Sequence, residues 1–253
     1  MPAMLDDPTA PAIYRVSGPA PYPVPGTPLP PSLLPLHLPL RDGTTSTLIP
    51  FATANPVPTG LMTRLQTMLN SEITAGDTYP MTSTMDLSKF STYWFANFAA
   101  VMVAGKLDLS AGLEGVYGQL AQMERVNQGS WEEACLGTFY VKPNYPGRSS
   151  HVCNAGFLVS ERARGKGVGR VMGETYIKWG AELGYTYSIF NLVYETNVAS
   201  LRIWDALGFD RVGRVPGAGN LRSYPDRPID AIQIGRRLGD TDKAVGGTFK
   251  QEK

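Results

Sequence analysis

The sequence predicts an α/β fold built as one sizeable domain, and three observations carry that reading. Residues 152–159, VCNAGFLV, form an apolar run of strand length that passes through a glycine-rich turn into a helix over about 167–183. Beyond it, strands and helices alternate: a strand at 187–193, a helix over about 197–207, and strands near 209–215 and 229–234. Upstream, Leu61, Leu65, Met68, Leu69 and Ile73 recur at three- and four-residue steps, which predicts an amphipathic helix over 58–73.

Taken in chain order, the first 45 residues read as a proline-rich arm. More than half of the 21 prolines fall before residue 41, where they exclude helix interiors and central strands. After the helix at 58–73, a second helix is expected over 85–95 and a short apolar strand at 98–104, FAAVMVA. The stretch from about 105 to 130 mixes glycine with polar residues and reads as a surface insertion. CLGTFYV, 135–141, returns to strand character, and the turn-rich KPNYPGRSS leads into the strand at 152–159. The division is therefore an arm over 1–45, a folded domain over 46–238 carrying the insertion, and a tail over 239–253. No internal repeat is present.

Composition excludes several classes of function. Apolar residues at 43% and charged residues at 18% suit a packed core. A formal charge of +1 with no Lys/Arg cluster gives no field for a polyanion, so no nucleic-acid partner is expected. No apolar run approaches the roughly 20 residues of a membrane span, and the opening MPAMLDDPTA lacks the basic start and apolar core of a secretory signal. We expect a cytoplasmic protein that does not engage a membrane, a mitochondrial fraction being compatible with the same features. Cys135 and Cys153 lie in apolar runs without a neighbouring cysteine and read as buried thiols, and His37 and His151 are the only histidines. No metal site is expected.

The informative chemistry lies in SERARGKGVGRVMGETYIKWGAEL, where Arg164, Gly165, Gly167 and Gly169 open a helix directly after a strand. The first amides of a helix have no carbonyl partners within it and stand at the positive end of its dipole. Glycines there let a diphosphate approach the backbone closely. The Lys-Ser/Thr pair of a P-loop is missing, and no acidic residue is placed for a dinucleotide ribose. Glycine serving only close packing is the ordinary alternative.

Arg164-x-x-Gly167-x-Gly169 resembles the coenzyme-A pyrophosphate loop of the GNAT N-acetyltransferases, and NVASLRIWDALGF, 197–209, resembles the second signature of that family. Two motifs at the expected separation are far more specific than either one. The resemblance implies a mixed central sheet, flanked by helices and splayed between two parallel strands, with acetyl-CoA as co-substrate and no metal. It assigns the coenzyme to Phe157, Leu158 and Val159 on the open strand, to the loop Arg164, Gly165, Lys166, Gly167, Val168, Gly169 and Arg170, and to Asn197 and Ser200. One amide of the open strand would serve as oxyanion donor, and the amine would attack directly. Trp204 stands where many GNAT enzymes carry a Tyr that protonates the leaving thiolate. Indole cannot do so, which leaves water or a neighbour such as Tyr194.

A closer similarity, over about 48–238, is to the fungal N-acetyltransferases that act on toxic proline analogues such as azetidine-2-carboxylate. It rests on LGTFYVKPNYPGRSSHVCNAGFLV, on YSIFNLVYETNVASLRIWDALGF, and on the upstream SEITAGDTYP and STYWFANFA. By that resemblance Asn154 and Asn191 bind the acceptor carboxylate, Asn197 acts at the reacting amine and at the coenzyme, and the protein is a homodimer. Chemistry leaves alternatives open. Asn154 and Asn191 would equally bond to backbone or water inside the sheet, Asn197 is well placed as an N-cap, and His151 and Glu195, conceivable bases by type, equally suit solvated surface positions. The acceptor could instead be a polyamine, an aminosugar or a peptide N-terminus, and a non-catalytic coenzyme-A sensor would keep the same loop.

Overall fold

The apolar alternation of the strands and the three-to-four-residue steps of the helices resolve into a single mixed sheet with helices on both faces. In the computed structural model, which describes residues 28–239, the chain runs β1 (Leu36–Pro39), β2 (Thr45–Phe51), α1 (Thr59–Ala75), α2 (Leu87–Trp94), β3 (Phe98–Ala104), α3 (Gly112–Val126), β4 (Cys135–Pro143), β5 (Val152–Val159), α4 (Val168–Glu182), β6 (Tyr187–Tyr194), α5 (Val198–Ala206), β7 (Asp210–Gly219) and β8 (Ile229–Arg237). The eight strands are ordered β1-β2-β3-β4-β5-β6-β8-β7. Every pairing is antiparallel except β5 with β6.

Side-chain alternation along β4 and β5 divides the interior into two layers. Phe139, Cys153 and Ala155 face α4, where they pack with Met172, Tyr176 and Trp179. Tyr140 and Leu158 face the other way, into a core formed with Leu61, Leu65 and Leu69 of α1 and with Phe90 and Trp94 of α2. Asp86 starts α2 by accepting from the Lys89 amide at 2.8 Å. All five apolar positions read as the periodic face of α1 are buried.

Three stretches differ from the sequence reading. The proline-rich segment does not stay outside the folded domain up to residue 45. Leu36–Pro39 adds an edge strand to β2, and Leu33 and Leu40 enter the core; residues 1–27 of the expected arm lie outside the described residues, as do 240–253 of the expected tail. Thr45–Phe51 is a strand in spite of Pro50. Its pairing with β1 ends at Leu48, so Pro50 falls where one edge of β2 is unpaired and a missing N–H is tolerated. Within 105–130, residues Gly112–Val126 form α3, which buries Val116 and Leu120 and stacks Tyr117 on Phe51 at 5.1 Å. Its tyrosine hydroxyl donates to the Pro50 carbonyl at 2.8 Å. The glycines of this stretch concealed a helical apolar stripe of only a few residues.

The parallel contact is the feature that positions the site. β5 and β6 pair only at Val152 with Tyr187 and Cys153 with Ser188. One residue further on, the Asn154 side chain donates to the Ile189 carbonyl at 2.9 Å, a side-chain bond where a ladder bond would come next. Beyond it the strands separate. β5 keeps its pairing with β4 through to Val159, while β6 leaves with β8.

Candidate active site

The gap between β5 and β6 opens into a cleft of ≈ 1360 Å³, larger than the roughly 300–1,000 Å³ of ordinary small-molecule sites. Its walls are β5 from Ala155 to Val159, β6 from Phe190 to Tyr194, the first turns of α4 and α5, Thr78–Pro80, and Pro39–Arg41. No group of three or more His, Cys, Asp or Glu residues able to hold a metal occurs among the described residues.

At one end, Gly165 and Gly167 adopt φ of 78° and 87°, a region that side chains other than glycine rarely occupy. Gly167 is the N-cap of α4 and supplies no side-chain cap, which leaves the first-turn amides of Val168, Gly169 and Arg170 without helical acceptors. A Cβ on Gly165 would meet nothing within 4 Å, so the backbone there is approachable. Gly169 also serves packing: a Cβ at that position would lie 3.1 Å from the Ile203 side chain of α5. Arg164 is ion-paired with Glu72 of α1 at 2.7 Å, Arg170 with Glu174 at 2.9 Å, and Lys166 with Asp42 at 3.5 Å. Lys166 does not line the cleft; it borders a smaller groove behind the loop. A loop of approachable glycine amides at a helix start, beside an open strand edge, fits a diphosphate with a linear arm attached.

Asn197 and Ser200 are brought to the same cleft. Asn197 caps α5, its Oδ1 accepting from the Ser200 amide at 3.2 Å, and the Ser200 hydroxyl accepts from the Trp204 indole at 3.0 Å. Trp204 is buried against Phe157, Phe190 and Phe209 with ring centroids 5.0, 4.6 and 5.0 Å away, so it is a packing residue. Tyr194 lines the cleft, and burial raises its phenol above the usual tyrosine value. The Tyr79 phenol is raised well above that value by burial, with Tyr140 and Glu72 adding to the effect, and donates to the Phe157 carbonyl at 3.3 Å. Both phenols therefore keep their protons at neutral pH.

The two strand asparagines are placed differently. Asn191 lies on a bulge of β6, where the register with β8 shifts between Phe190 and Val193, and it lines the cleft. It bonds reciprocally with Asn144, donating at 2.6 Å and accepting at 3.3 Å. Asn144 is buried just after β4; no spacing signal marks it, since the pair forms across 47 residues. Asn154 is fully buried and does not line the cleft. Its amide nitrogen serves Ile189, and its Oδ1 has no partner among the described residues. Glu195 is held by Arg214 at 3.1 Å, and His151 is exposed in the turn before β5. Cys135 and Cys153 are free and buried, and burial pushes both thiols up to about 12.

Comparisons with known proteins agree with this geometry. The model of the Acetyltransferase (GNAT) family matches residues 120–209, from α3 to the end of the second signature. Protein SPT10 of Saccharomyces cerevisiae is 36% identical over 238 residues, which cover 84% of this chain and 37% of that protein; the chain thus spans little more than a third of it. N-acetyltransferase aca1 of Schizosaccharomyces pombe is 35% identical over 164 residues, covering 65% of this chain and 74% of that protein. Among solved structures, the fold is similar to a GCN5-related N-acetyltransferase from Kribbella flavida (23% identity, TM-score 0.56, covering 76% of this chain and 98% of that one). It is also similar to a GNAT superfamily phosphinothricin acetyltransferase from Sinorhizobium meliloti in complex with acetyl-CoA (18% identity, TM-score 0.56, covering 81% and 94%).

Proposed function

This chain belongs to the GNAT family of acetyl-CoA-dependent N-acetyltransferases, and from that premise we propose that it acetylates the α-imino or α-amino nitrogen of a small proline-like acid, of the azetidine-2-carboxylate and cis-4-hydroxyproline type. The observation that carries the substrate class is the charge of the cleft. Glu72 is the one carboxylate lining it among the described residues, and it is already paired with Arg164. A polyamine would require free carboxylates along the rim. The cleft instead offers neutral donors: the amide of Asn191, set by Asn144, and the protonated phenol of Tyr194. Neutral donors suit a small zwitterion better than a polycation.

In this reading the coenzyme supplies an activated acetyl thioester, and the chain supplies position. The glycine loop holds the diphosphate, and the unpaired edge of β5 at Phe157, Leu158 and Val159 holds the arm that follows. Asn197 spends its Oδ1 on the α5 cap and keeps its NH₂ for the cleft, so it orients groups without taking a proton. The amine's proton leaves through water. Tyr194, being protonated, donates a hydrogen bond to the departing sulfur. Asn191 reads the acceptor carboxylate; Asn154, one layer behind, reads it only if the acceptor displaces the bond to Ile189.

The experiment is coenzyme-A release with azetidine-2-carboxylate, cis-4-hydroxyproline, spermidine, glucosamine 6-phosphate and a peptide as acceptors. The first two are expected to be turned over fastest. Faster turnover of spermidine, the aminosugar or the peptide would replace the substrate class, and no turnover with any of them would favour a non-catalytic coenzyme-A sensor.

A further inference from the structure

We propose that Arg41, carried by the turn between β1 and β2, is a phosphate ligand of the coenzyme, which makes the end of the proline-rich segment part of the cofactor site. This rests on the proposal that the glycine loop holds the coenzyme diphosphate.

The turn is fixed to that loop by several contacts. The Arg41 amide donates to the Lys166 carbonyl at 2.9 Å, and a Cβ on Gly167 would stand 3.5 Å from the Arg41 Cβ. Leu40, the preceding residue, is buried in the core shared with α4, and its amide closes the turn onto the Thr44 carbonyl at 2.8 Å. Asp42 braces the other side, accepting from the Thr44 amide at 3.1 Å and from its hydroxyl at 2.6 Å. Arg41 therefore projects from a rigid base into the wall of the cleft, next to the anion cradle.

Charge accounting points the same way. Coenzyme A brings a diphosphate and a 3′-phosphate, several negative charges in all, whereas a helix N-terminus offers the equivalent of about half a positive charge. The cations of the loop itself are already matched, Arg164 by Glu72, Lys166 by Asp42 and Arg170 by Glu174. Arg41 lines the cleft, is exposed, and has no carboxylate partner among the described residues. Arg202 on α5 shares that property, but it is Arg41 whose backbone is hydrogen-bonded to the loop. A guanidinium fixed beside unsatisfied amides is suited to bidentate phosphate binding.

The test is calorimetric titration of the full chain with coenzyme A and with dephospho-coenzyme A, using Arg41→Ala, Arg41→Lys and Gly167→Val alongside the parent. Arg41→Ala is expected to weaken coenzyme A binding roughly tenfold at low salt, by less at high salt, and Arg41→Lys to recover part of the loss. A loss confined to coenzyme A assigns Arg41 to the 3′-phosphate, and an equal loss with both ligands assigns it to the diphosphate. Arg41 is exposed, so the unliganded variants should melt with the parent. If Arg41→Ala binds both ligands within about twofold of the parent while Gly167→Val loses binding, the proposal for Arg41 is wrong and the loop assignment stands. Unchanged binding in folded Gly167→Val would overturn the loop assignment itself.

Discussion

The two ends of the cleft are made of different material. The proposed coenzyme end is mainly backbone, with Arg41 beside it: glycines at positive φ, free first-turn amides and an unpaired strand edge. The proposed acceptor end is side chain: an asparagine pair across 47 residues and the Tyr194 phenol, held protonated. A backbone site asks of the sequence only that glycines fall at fixed offsets, so it survives wide divergence around it. A side-chain site asks for particular residues brought together by the whole fold, and a change at one position alters which ligand is read.

Breaking the frame under the coenzyme end should give the largest effect. Deleting residues 1–40 removes β1 with the buried Leu33 and Leu40, and losing even one buried leucine side chain costs about 2–5 kcal/mol. We expect a sharply lowered melting temperature and lost coenzyme affinity; a truncated protein that melts and binds like the parent would remove this segment from the domain. Next, Gly167→Val places a β-branched residue at φ 87° against Arg41. The rise in melting temperature produced by acetyl-CoA should vanish, corresponding to an affinity loss on the order of 100-fold or more.

The acceptor end should respond with the opposite selectivity. Asn191→Ala is expected to lower kcat/KM for azetidine-2-carboxylate by roughly one to two orders of magnitude, mainly through KM, with acetyl-CoA affinity unchanged. Asn144→Ala should do the same through its partner, and the double variant should be little worse than either, because the two amides act as a unit. Strictly additive losses would show that they act separately. Azetidine itself, which has no carboxylate, should be a poor acceptor and should lose little more in Asn191→Ala. The smallest effect is expected at Asn154, where Ala removes the bond to Ile189 at about 1–3 kcal/mol, a few degrees of melting temperature. If instead Asn154→Ala keeps its melting temperature and raises only the acceptor KM, Asn154 belongs to the acceptor site and the bridge to β6 is secondary.

The same contrast explains what could be read in advance. From β4 onward the elements match their expected spans closely, because long apolar periods and a glycine loop are local signals. Before that, α1 was visible in its leucine and methionine stripe, whereas β2 was hidden by Pro50 and β1 by the prolines around it, residues whose tolerance depends on which strand edge is unpaired. α3 was hidden because glycines and polar residues interrupt its stripe, of which only Val116 and Leu120 are fully buried while Leu113, Tyr117 and Met123 pack at the core's margin. Of the candidate site, the loop and the α5 cap are legible in the sequence; Asn144 and the proposed Arg41 are not, since each is defined by a neighbour distant in sequence.

The brief parallel contact between β5 and β6 also makes the sheet a pair of cantilevers, one of five strands and one of three, joined near the root by two residue pairs, the Asn154 side chain and the Asn144–Asn191 pair. Along the free margins beyond Asn154 and Ile189, main-chain groups of two strands face a cleft in place of each other. A ligand lying between them would act as the missing rung and couple the two halves mechanically. Hydrogen exchange should report this directly: amides of β5 turned toward the cleft should exchange readily in the free protein and slow markedly when acetyl-CoA fills the gap, while those bonded to β4 change little.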